Sequence, residues 1–525
     1  MFGNLRKYPI SPLYKGGDRF DPKNYRPVAV LPALSKVIEK IVIGRLKKHL
    51  ETLNLLTDRQ NAYREKRSVT TAMLQLYDEI LKTQEEGKDS ACVFLDCSAA
   101  FDTIQHDVLI GKMRLYGVNE KSLAWMKNYL SDRSQYVSIG GIPSEIKKIE
   151  DGAFQGSIGG PWCFLIMIND IVVVAAGSDI TVYIYADDTC LRVTLGEDMD
   201  ENQEKLDEIM KKIVRYMDAT KLKFNFKKTE FVVTSPKRHD RYSRLVLNFD
   251  GSVVKQQLHA RLLGLQISWD LQHKWYVSEM KDNLLASLRK RLYILERLAP
   301  SCPKKCVKNF AHGLIFSKLC FGIQYWSKPL TESLWNQIVV IVNRAARVVL
   351  KIKPLQMRVL DMYRVLNWLT PNACRAYMDL NLFWNIRHYK KPANLSELFQ
   401  SQTSSWYSDE ERMITRSMSQ QSIRRTQDND SLGIRSSSFV PRMVRTFNAL
   451  DREFKSLPDI KGTDDERFLV LKQKLRNKCQ WDALGFPSYW PENRDEALLD
   501  RADEIYGLGI ASDTTSEEED MDTTT

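Results

Sequence analysis

The sequence contains no long uninterrupted hydrophobic run. Its most apolar stretch, from Trp162 to Ala176, is broken by Asn169 and Asp170, and the first 18 residues have no apolar core of the kind that directs secretion. Nine cysteines are present, an odd number without a repeating spacing, which is typical of reduced thiols inside a cell. The sequence therefore predicts an intracellular protein, in the nucleus or the cytoplasm, without a membrane span.

The balance of charge is the first positive signal. The 525 residues, enough for two to four domains, include 77 Lys and Arg against 66 Asp and Glu. Six of those acids lie in the last 14 residues, 512–525, which contain no base, so the preceding 511 residues carry 77 bases against 60 acids. Such an excess suits a polyanionic partner such as a nucleic acid, although many basic proteins bind none.

Two adjacent acids stand at the centre of a predicted β-hairpin. Runs of Val, Ile, Tyr and Thr between residues 179 and 195 flank Asp187 and Asp188, and this pattern favours two strands joined by a tight turn. Paired carboxylates beside apolar strands repel each other, a cost that a hard divalent cation would offset. An exposed acidic turn remains the simpler alternative for this pattern taken alone.

Two further segments have the composition of site elements. The apolar run 91–95 ends on Asp96, which predicts a buried strand with a carboxylate at its carboxyl end, and Phe101 and Asp102 follow in a turn. Residues 152–161 contain four glycines, which allow tight turns or a close approach of the backbone to a ligand. Neither a GxGxxG fingerprint nor a Walker loop can be read from them.

The remaining segments predict helices and short strands around these elements. The helix 35–53 should bury Val37, Ile38, Ile41, Val42 and Leu46 and expose its basic residues. Further helices are predicted at 69–84, 162–175 and 199–219, strands at 135–139, 222–233 and 262–268, and a helical region at 277–387 with one stripe formed by Leu284, Leu288, Leu292, Leu295 and Leu298.

The strand FLDCSAAFD, the loop FQGSIGGP and the hairpin YADD, in this order, resemble the palm of a reverse transcriptase. The segments PLYKGGDRFDPKNYRPVAVLPALSKVIEK and DRQNAYREKRS are similar to the fingers motifs of non-LTR (LINE-type) retrotransposon reverse transcriptases. LKFNFKKTEF and RLLGLQISWD look like the motifs that close the palm, so the resemblance covers about residues 8–280. It implies an α+β, right-hand polymerase fold with fingers, an antiparallel palm sheet, a helical thumb and a mainly helical C-terminal region.

The resemblance also divides the chain. The expected regions are fingers at 1–90, palm at 91–275 with some fingers segments interleaved, a helical thumb or connection at 276–397, a flexible linker at 398–437, a small helical region at 438–510 and an acidic disordered tail at 511–525.

The family's chemistry then falls on particular residues of this chain. By resemblance, Asp96 and Asp187 bridge two Mg²⁺ ions, for which Mn²⁺ can substitute, and Asp188 is the second hairpin acid in a more peripheral role. The backbone carbonyl of Cys97 would complete the ligand set. One ion would lower the pKa of a primer 3′-hydroxyl while the other steadies the triphosphate and the departing pyrophosphate.

Substrate-binding residues are assigned in the same way. Lys15 and Arg26 match positions that grip the incoming triphosphate, and Gln155 and Gly156 would line the pocket for nucleotide and template. Phe101 matches the aromatic residue that excludes a ribose 2′-hydroxyl and so selects deoxynucleotides. An ordinary core aromatic is the alternative for that position.

Three further residues complete the expected site. Tyr185 begins the acidic hairpin, Lys228 matches a lysine proposed to give a proton to pyrophosphate, and Arg64 is expected to touch template phosphate. A plain surface lysine is the alternative for Lys228. The family usually has Phe-Gly-Phe-Arg where this chain has Asn-Ala-Tyr-Arg at 61–64, which affects template grip more than chemistry.

The resemblance implies an RNA-directed DNA polymerase with an RNA template, a DNA primer or target, and dNTPs as partners, acting by target-primed insertion. The alternatives are a decayed or co-opted element that binds RNA without copying it, and an RNA-dependent RNA polymerase, against which Phe101 argues. No endonuclease segment precedes the fingers motifs and no CCHC knuckle is seen. We therefore expect a fragment, a truncated copy or a gene model that begins late, with endonuclease activity that another chain could supply.

Overall fold

The computed structural model describes residues 6–97, 101–177, 179–223, 225, 228–236, 239–249, 252–327 and 330–397, together with the isolated positions 443, 470, 473 and 476. The chain forms two compact units, one of residues 1–271 with 391–397 and the other of residues 272–390 with 398–525. Apart from those isolated positions, the predicted linker, C-terminal helical region and acidic tail lie outside the described residues. Among the described residues, no helix combines the length and hydropathy needed to cross a bilayer.

The first unit mixes helices with mainly antiparallel sheets. Its strands are β1 (Lys7–Tyr14), β2 (Tyr25–Ala29), β3 (Asp89–Asp96), β4 (Arg133–Ile139), β5 (Ile142–Pro143), β6 (Lys147–Ile149), β7 (Ile180–Tyr185), β8 (Asp188–Leu195), β9 (Glu230–Thr234), β10 (Val246–Phe249), β11 (Ser252–Lys255), β12 (His259–Leu262) and β13 (Leu265–Ser268). Its helices are α1 (Ala33–Thr52), α2 (Val69–Glu85), α3 (His106–Leu115), α4 (Glu120–Leu130), α5 (Gly159–Ile168), α6 (Ile171–Val174) and α7 (Met199–Thr220).

A four-stranded antiparallel sheet with the order β7-β8-β3-β9 carries the predicted acids. Its central strand β3 is buried on both faces, which explains why its sequence is continuously apolar. Ala91, Val93 and Leu95 join the main core with side chains of α5 and α7, and α2 packs against the sheet as well. The pairing of β3 with β8 and β9 sets its register and hence the position of Asp96 at its end.

A second sheet joins the start of the chain to residues 133–149. Its order is β2-β1-β4-β5, with β6 also paired to β4. β1 is antiparallel to β2 and parallel to β4. The N-terminal motif and the segment between α4 and the glycine-rich loop are therefore parts of one layer.

Helix α1 buries a different face from the predicted one. Its buried residues are Ser35, Glu39, Ile43, Leu46 and Leu50. Of the residues predicted to be core, Val37 and Ile41 are more than half exposed, and only Leu46 is fully buried. The apolar pattern was a poor guide here because a buried carboxylate, Glu39, occupies the inner face.

Two predicted strands have different limits. In the segment predicted as one strand at 222–233, β9 begins at Glu230, and the described residues before it, 222, 223, 225, 228 and 229, lie outside any strand after the left-handed residue Lys221 (φ 58°). The segment predicted as one strand at 262–268 is a hairpin, in which β12 and β13 pair antiparallel. Its turn residues, Leu263 and Gly264, both have positive φ, the geometry that a two-residue hairpin requires.

The second unit is helical in its described part. Its helices are α8 (Leu284–Leu298), α9 (Lys304–Ala311), α10 (Ser317–Cys320), α11 (Ile323–Trp326), α12 (Glu332–Leu350), α13 (Val359–Val365) and α14 (Pro371–Tyr389). The predicted leucine stripe on α8 is buried at four of its five positions, and Leu298 is the exception at 38% exposed.

Candidate active site

The predicted acids meet at one end of the four-stranded sheet. β3 and β8 are antiparallel, and their register places Asp96 directly opposite Asp188. β7 and β8 pair through Tyr185 and Asp188, which leaves Ala186 and Asp187 as a two-residue turn. Ala186 has a φ of 56°, so the chain reverses sharply there. Because directly opposed residues of antiparallel strands lie about 5 Å apart, the three carboxylates share one small region.

Burial and repulsion make the hairpin carboxylates hold protons more tightly than usual. Burial is the main reason that the pKa of Asp188 rises from 3.8 to about 6, and Asp187 and Asp96 raise it further. The pKa of Asp187 is also raised, chiefly by burial and then by Asp96, while Arg26 and Lys228 act in the opposite direction. This end of the sheet therefore favours the approach of positive charge.

Lys228 supplies some of that positive charge. Its Nζ lies 3.0 Å from Oδ2 of Asp96, and its side chain is 65% exposed. Backbone hydrogen bonds hold Lys228 near Asp96. The Asn225 N–H donates to the Asp96 carbonyl at 2.8 Å, and the Lys228 N–H donates to the Asn225 carbonyl. The loop that was predicted to be strand is thus tied to the end of β3.

The donor groups suit a hard divalent cation, but their arrangement is not a ready-made cage. In the part of the chain that the structure describes, no three His, Cys, Asp or Glu side chains are gathered as a metal-binding set. Cys97 is buried, and burial together with the three aspartates raises the pKa of its thiol. A protonated thiol is a poor ligand for a hard cation, which leaves the carboxylates and backbone oxygens as donors.

Two predicted triphosphate contacts come from the second sheet. Arg26 lies on β2 opposite Leu13 of β1, and Lys15 follows the end of β1. Both side chains are exposed. Both positive charges act on nearby carboxyl groups. Lys15 lowers the pKa of Asp102, although burial raises that pKa by more. Arg26 lowers the pKa of Asp187, which burial also raises overall. Arg26 therefore acts on the acidic hairpin, whereas Lys15 acts on Asp102, whose backbone lies beside Gly152 at the start of the glycine-rich loop.

The glycine-rich loop is pressed against β2. The Ala29 N–H donates to the Gln155 carbonyl at 2.8 Å. Gly156 has a φ of 112°, and a Cβ at this position would lie 2.8 Å from the Ala29 carbonyl oxygen. Only glycine fits, for both reasons. The side-chain Oε1 of Gln155 is buried and has no hydrogen-bond partner among the described residues, so the loop presents an unused acceptor.

Phe101 lies beside this loop. Its backbone carbonyl accepts the Ala153 N–H at 2.7 Å, and its ring is 5.9 Å from that of Phe164 on α5. The side chain is partly buried and packs against the core. This position is compatible with both alternatives for Phe101, a nucleotide-facing aromatic and a core aromatic.

Sequence reasoning missed a second contact to the hairpin. The Ile184 N–H donates to the Arg59 carbonyl and the Asn61 N–H donates to the Ile184 carbonyl, both at 3.0 Å, so residues 59–61 run beside β7. Between them, the fully buried Gln60 accepts the Ala186 N–H through its Oε1 at 3.3 Å. The motif DRQNAYR gave no distinct signal for this contact, because Gln60 stands among other polar and charged residues.

Tyr63 was missed as well. Its side chain is half exposed, its backbone has a φ of 57°, and besides burial the charge of Asp187 raises the pKa of its phenol. Burial is the main cause of the raised pKa of Tyr63, and Asp187 and Tyr185 add to it. A strained, exposed aromatic beside a catalytic-type carboxylate is a frequent feature of functional sites.

Arg64 is bound within the chain. Its Nε and Nη2 donate to the two carboxylate oxygens of Glu51 at 2.8 and 3.0 Å, and its Nη1 donates to the Thr57 carbonyl at 2.6 Å. The side chain is 5% exposed. The guanidinium therefore ties the loop 57–67 to α1, and its contact with template phosphate stays a prediction.

Comparison with known proteins supports the resemblance to reverse transcriptases. Residues 14–267 match the family described as reverse transcriptase (RNA-dependent DNA polymerase). The chain is 25% identical over 339 residues to a protein of Drosophila melanogaster named "Probable RNA-directed DNA polymerase from transposon BS", an alignment that covers 62% of this chain and 36% of that protein. It is 22% identical over 335 residues to the RNA-directed DNA polymerase from mobile element jockey of the same species, with the same coverage.

A solved structure of telomerase from Candida tropicalis with a fragment of telomeric RNA is 11% identical, covers 69% of this chain and 64% of that chain, and superposes with a TM-score of 0.39. The chain spans about a third of the length of the curated relatives it matches.

The matched segment runs from β1 to β13 and includes the acidic hairpin, so residues 14–267 are a reverse transcriptase domain of the α+β, right-hand polymerase class. Reverse transcriptases generally use divalent metal ions. The relatives are named as RNA-directed DNA polymerases of mobile elements, which agrees with the predicted resemblance to the enzymes of non-LTR retrotransposons. The family and the fold class predicted from the sequence are thereby confirmed.

Proposed function

We propose that this chain copies retroelement RNA into DNA by extending a primer 3′-hydroxyl, and that the primer is a nicked target DNA. The observation that carries the proposal is the register of β3 and β8, in which Asp96 faces Asp188 with Asp187 in the adjoining turn. Oxygen ligands at such spacing suit a two-metal site. Priming on chromosomal DNA would require action in the nucleus.

The three aspartates, with the backbone carbonyl of Cys97, would hold two Mg²⁺ ions, for which Mn²⁺ could substitute. When bound, the ions lower the pKa of the primer 3′-hydroxyl and balance charge on the triphosphate. The contact between Lys228 and Asp96 would open on ion binding. Lys228 would then be free to give its proton to the departing pyrophosphate.

The remaining side chains orient the substrates. The exposed side chains of Lys15 and Arg26 would bind the triphosphate oxygens, and the charge of Arg26 already acts on Asp187. Gln155 and Gly156 would support the nucleotide and the template base, using the unpaired Oε1 of Gln155 as an acceptor. Tyr185, which is partly buried and precedes the turn, would contact the primer end.

Phe101 would exclude ribonucleotides by occupying the space of a 2′-hydroxyl. It is the residue that separates RNA-directed DNA synthesis from RNA-directed RNA synthesis. The excess of basic residues in the chain supports binding of the RNA template and the primer through phosphate contacts. Cleavage of the target DNA could be supplied by another chain.

Extension of a DNA primer on an RNA template tests the function. With Mg²⁺, we expect the purified chain to add dNTPs and to discriminate strongly against rNTPs. Asp187→Asn should remove incorporation while leaving RNA binding intact, and Phe101→Ala should raise rNTP use relative to dNTP use. RNA binding without any incorporation by the unaltered chain would instead support a non-copying RNA-binding protein.

A further inference from the structure

Glu39 is a buried carboxylate that the proposed chemistry does not use. It lies on α1 and is 2% exposed, while Val37 and Ile41 of the same helix are more than half exposed. A charged group costs several kcal/mol to bury unless it is well hydrogen-bonded or paired. The helix thus turns two apolar side chains to solvent and an acid to the core, which requires a specific partner for that acid.

That partner is the backbone of the glycine-rich loop. Oε2 of Glu39 accepts the Ile158 N–H at 2.6 Å. Ile158 directly precedes the first residue of α5, where N–H groups have no partner within the helix and the helix dipole favours negative charge. Ser157 completes the cap, because its Oγ accepts the Gly160 N–H at 2.8 Å. The carboxylate therefore fixes the point at which the loop becomes helix.

The other end of the same short segment is held by β2. The Ala29 N–H donates to the Gln155 carbonyl, and Gly156 touches the Ala29 carbonyl oxygen too closely to carry a Cβ. Residues 155–158 are thus held by β2 at their first residues and by Glu39 at their last. Gln155 is the first residue of this segment, and its buried Oε1 has no hydrogen-bond partner among the described residues.

A buried cation supports the same arrangement. The guanidinium of Arg133 stacks on the rings of Phe154 and Tyr129, at 4.9 and 5.0 Å from their centroids. Burial is the main cause of the lowered pKa of Arg133, and the charge of Glu39 acts against it. Arg133 therefore steadies the residue before Gln155 and partly balances the charge of Glu39.

We infer that Glu39 is a positioning residue for nucleotide binding: it holds the segment 155–158 so that Gln155 and Gly156 meet the incoming nucleotide. Glu39 contacts no substrate itself. The inference rests on the proposed polymerase function, since the nucleotide pocket is defined by it. A positioning residue of this kind affects the KM for dNTP more than kcat, because the metal-binding aspartates lie on other elements.

The test compares Glu39→Ala, Glu39→Gln and Ile43→Val in primer extension. Glu39→Ala leaves the Ile158 N–H without its acceptor and should raise the KM for dNTP roughly ten-fold or more, with kcat changed less than about three-fold. Glu39→Gln keeps an oxygen acceptor and should recover most of the loss, and it serves if the alanine variant fails to fold. Ile43→Val trims the same buried face of α1 and should lower the melting temperature without changing KM.

Hydrogen exchange provides a readout that does not need activity. Amides of residues 155–160 should exchange faster in the Glu39 variants than in the unaltered chain or in Ile43→Val. An active chain whose KM and loop exchange are unchanged by Glu39→Ala and Glu39→Gln would overturn the inference. An inactive unaltered chain would overturn the proposed function, and unchanged exchange in that case would also remove the loop contact on which the inference depends.

Discussion

At the scale of single residues, the two hairpin aspartates, Asp187 and Asp188, make the native structure less stable than it would be without them. Like charges that face each other across a sheet repel, and burial adds to the cost of ionising them. The sequence showed which residues carry the charge. It could not show that Lys228 would pair with Asp96, because that contact depends on how the loop after α7 turns.

We expect Asp188→Asn to stabilise the metal-free protein. The pKa of Asp188 is raised to about 6, so the native chain binds a proton that the unfolded chain has lost, and stability falls as the pH rises from about 4 to above 6. The variant lacks this loss and should be more stable than the unaltered chain at pH 7 by roughly 1–3 kcal/mol. The measurement is thermal unfolding in chelator as a function of pH.

Below about pH 4 the two proteins should differ little, since the carboxyl is then protonated in both states. Added Mg²⁺ should raise the melting temperature of the unaltered chain more than that of the variant. A variant that is less stable than the unaltered chain at pH 7 would show that Asp188 is not strained by burial and its neighbours.

Arg64→Ala should destabilise the protein rather than weaken its grip on RNA. The substitution leaves Glu51, whose side chain is 19% exposed, without its bidentate partner, and loss of one member of such a buried pair costs about 3 kcal/mol or more. Arg114→Ala, which breaks an exposed pair with Glu120, is the control and should leave the melting temperature nearly unchanged. A normal melting temperature with weaker, less salt-sensitive RNA binding would restore the predicted template contact.

At the scale of elements, the hairpin and its neighbouring strand were predictable because their patterns are local. Alternating and continuous apolar runs identified β7, β8 and β3. The packing of residues 59–61 along β7 was not predictable, since backbone hydrogen bonds between distant segments leave no periodic signal. The buried face of α1 could not be predicted for a related reason. Its Glu39 is hydrogen-bonded to the Ile158 N–H, a partner far along the chain that decides which face is buried.

Gly156→Ala tests how closely the loop must approach β2. The added Cβ would lie 2.8 Å from the Ala29 carbonyl oxygen, at a φ that L-residues avoid, so the loop must move. We expect a loss of about 2–4 kcal/mol in stability and a clear fall in nucleotide incorporation. Gly111→Ala on α3, where a Cβ meets nothing within 4 Å, should be neutral or slightly stabilising. Equal behaviour of the two variants in unfolding and extension assays would contradict this account of the loop.

At the scale of the whole chain, the order of motifs identified the family because each motif carries chemistry or a special backbone conformation. The same reasoning gave little for residues beyond the palm motifs, where helices pack by general hydrophobic contact and many sequences serve equally well. The expected linker, C-terminal helices and acidic tail remain predictions. The activity of a complete element likewise remains a proposal, since the chain spans about a third of the length of its curated relatives.

The central claim is that Asp96, Asp187 and Asp188 together bind divalent metal. Iron(II) bound in place of Mg²⁺, with ascorbate and peroxide, generates hydroxyl radicals that cut the backbone near the ion. We predict cuts around residues 94–98 and 185–190 in the same molecules, which Mg²⁺ suppresses by competition and Asp187→Asn abolishes. Cleavage at only one of these segments, or at neither, would contradict the claim that both strands supply ligands to one site.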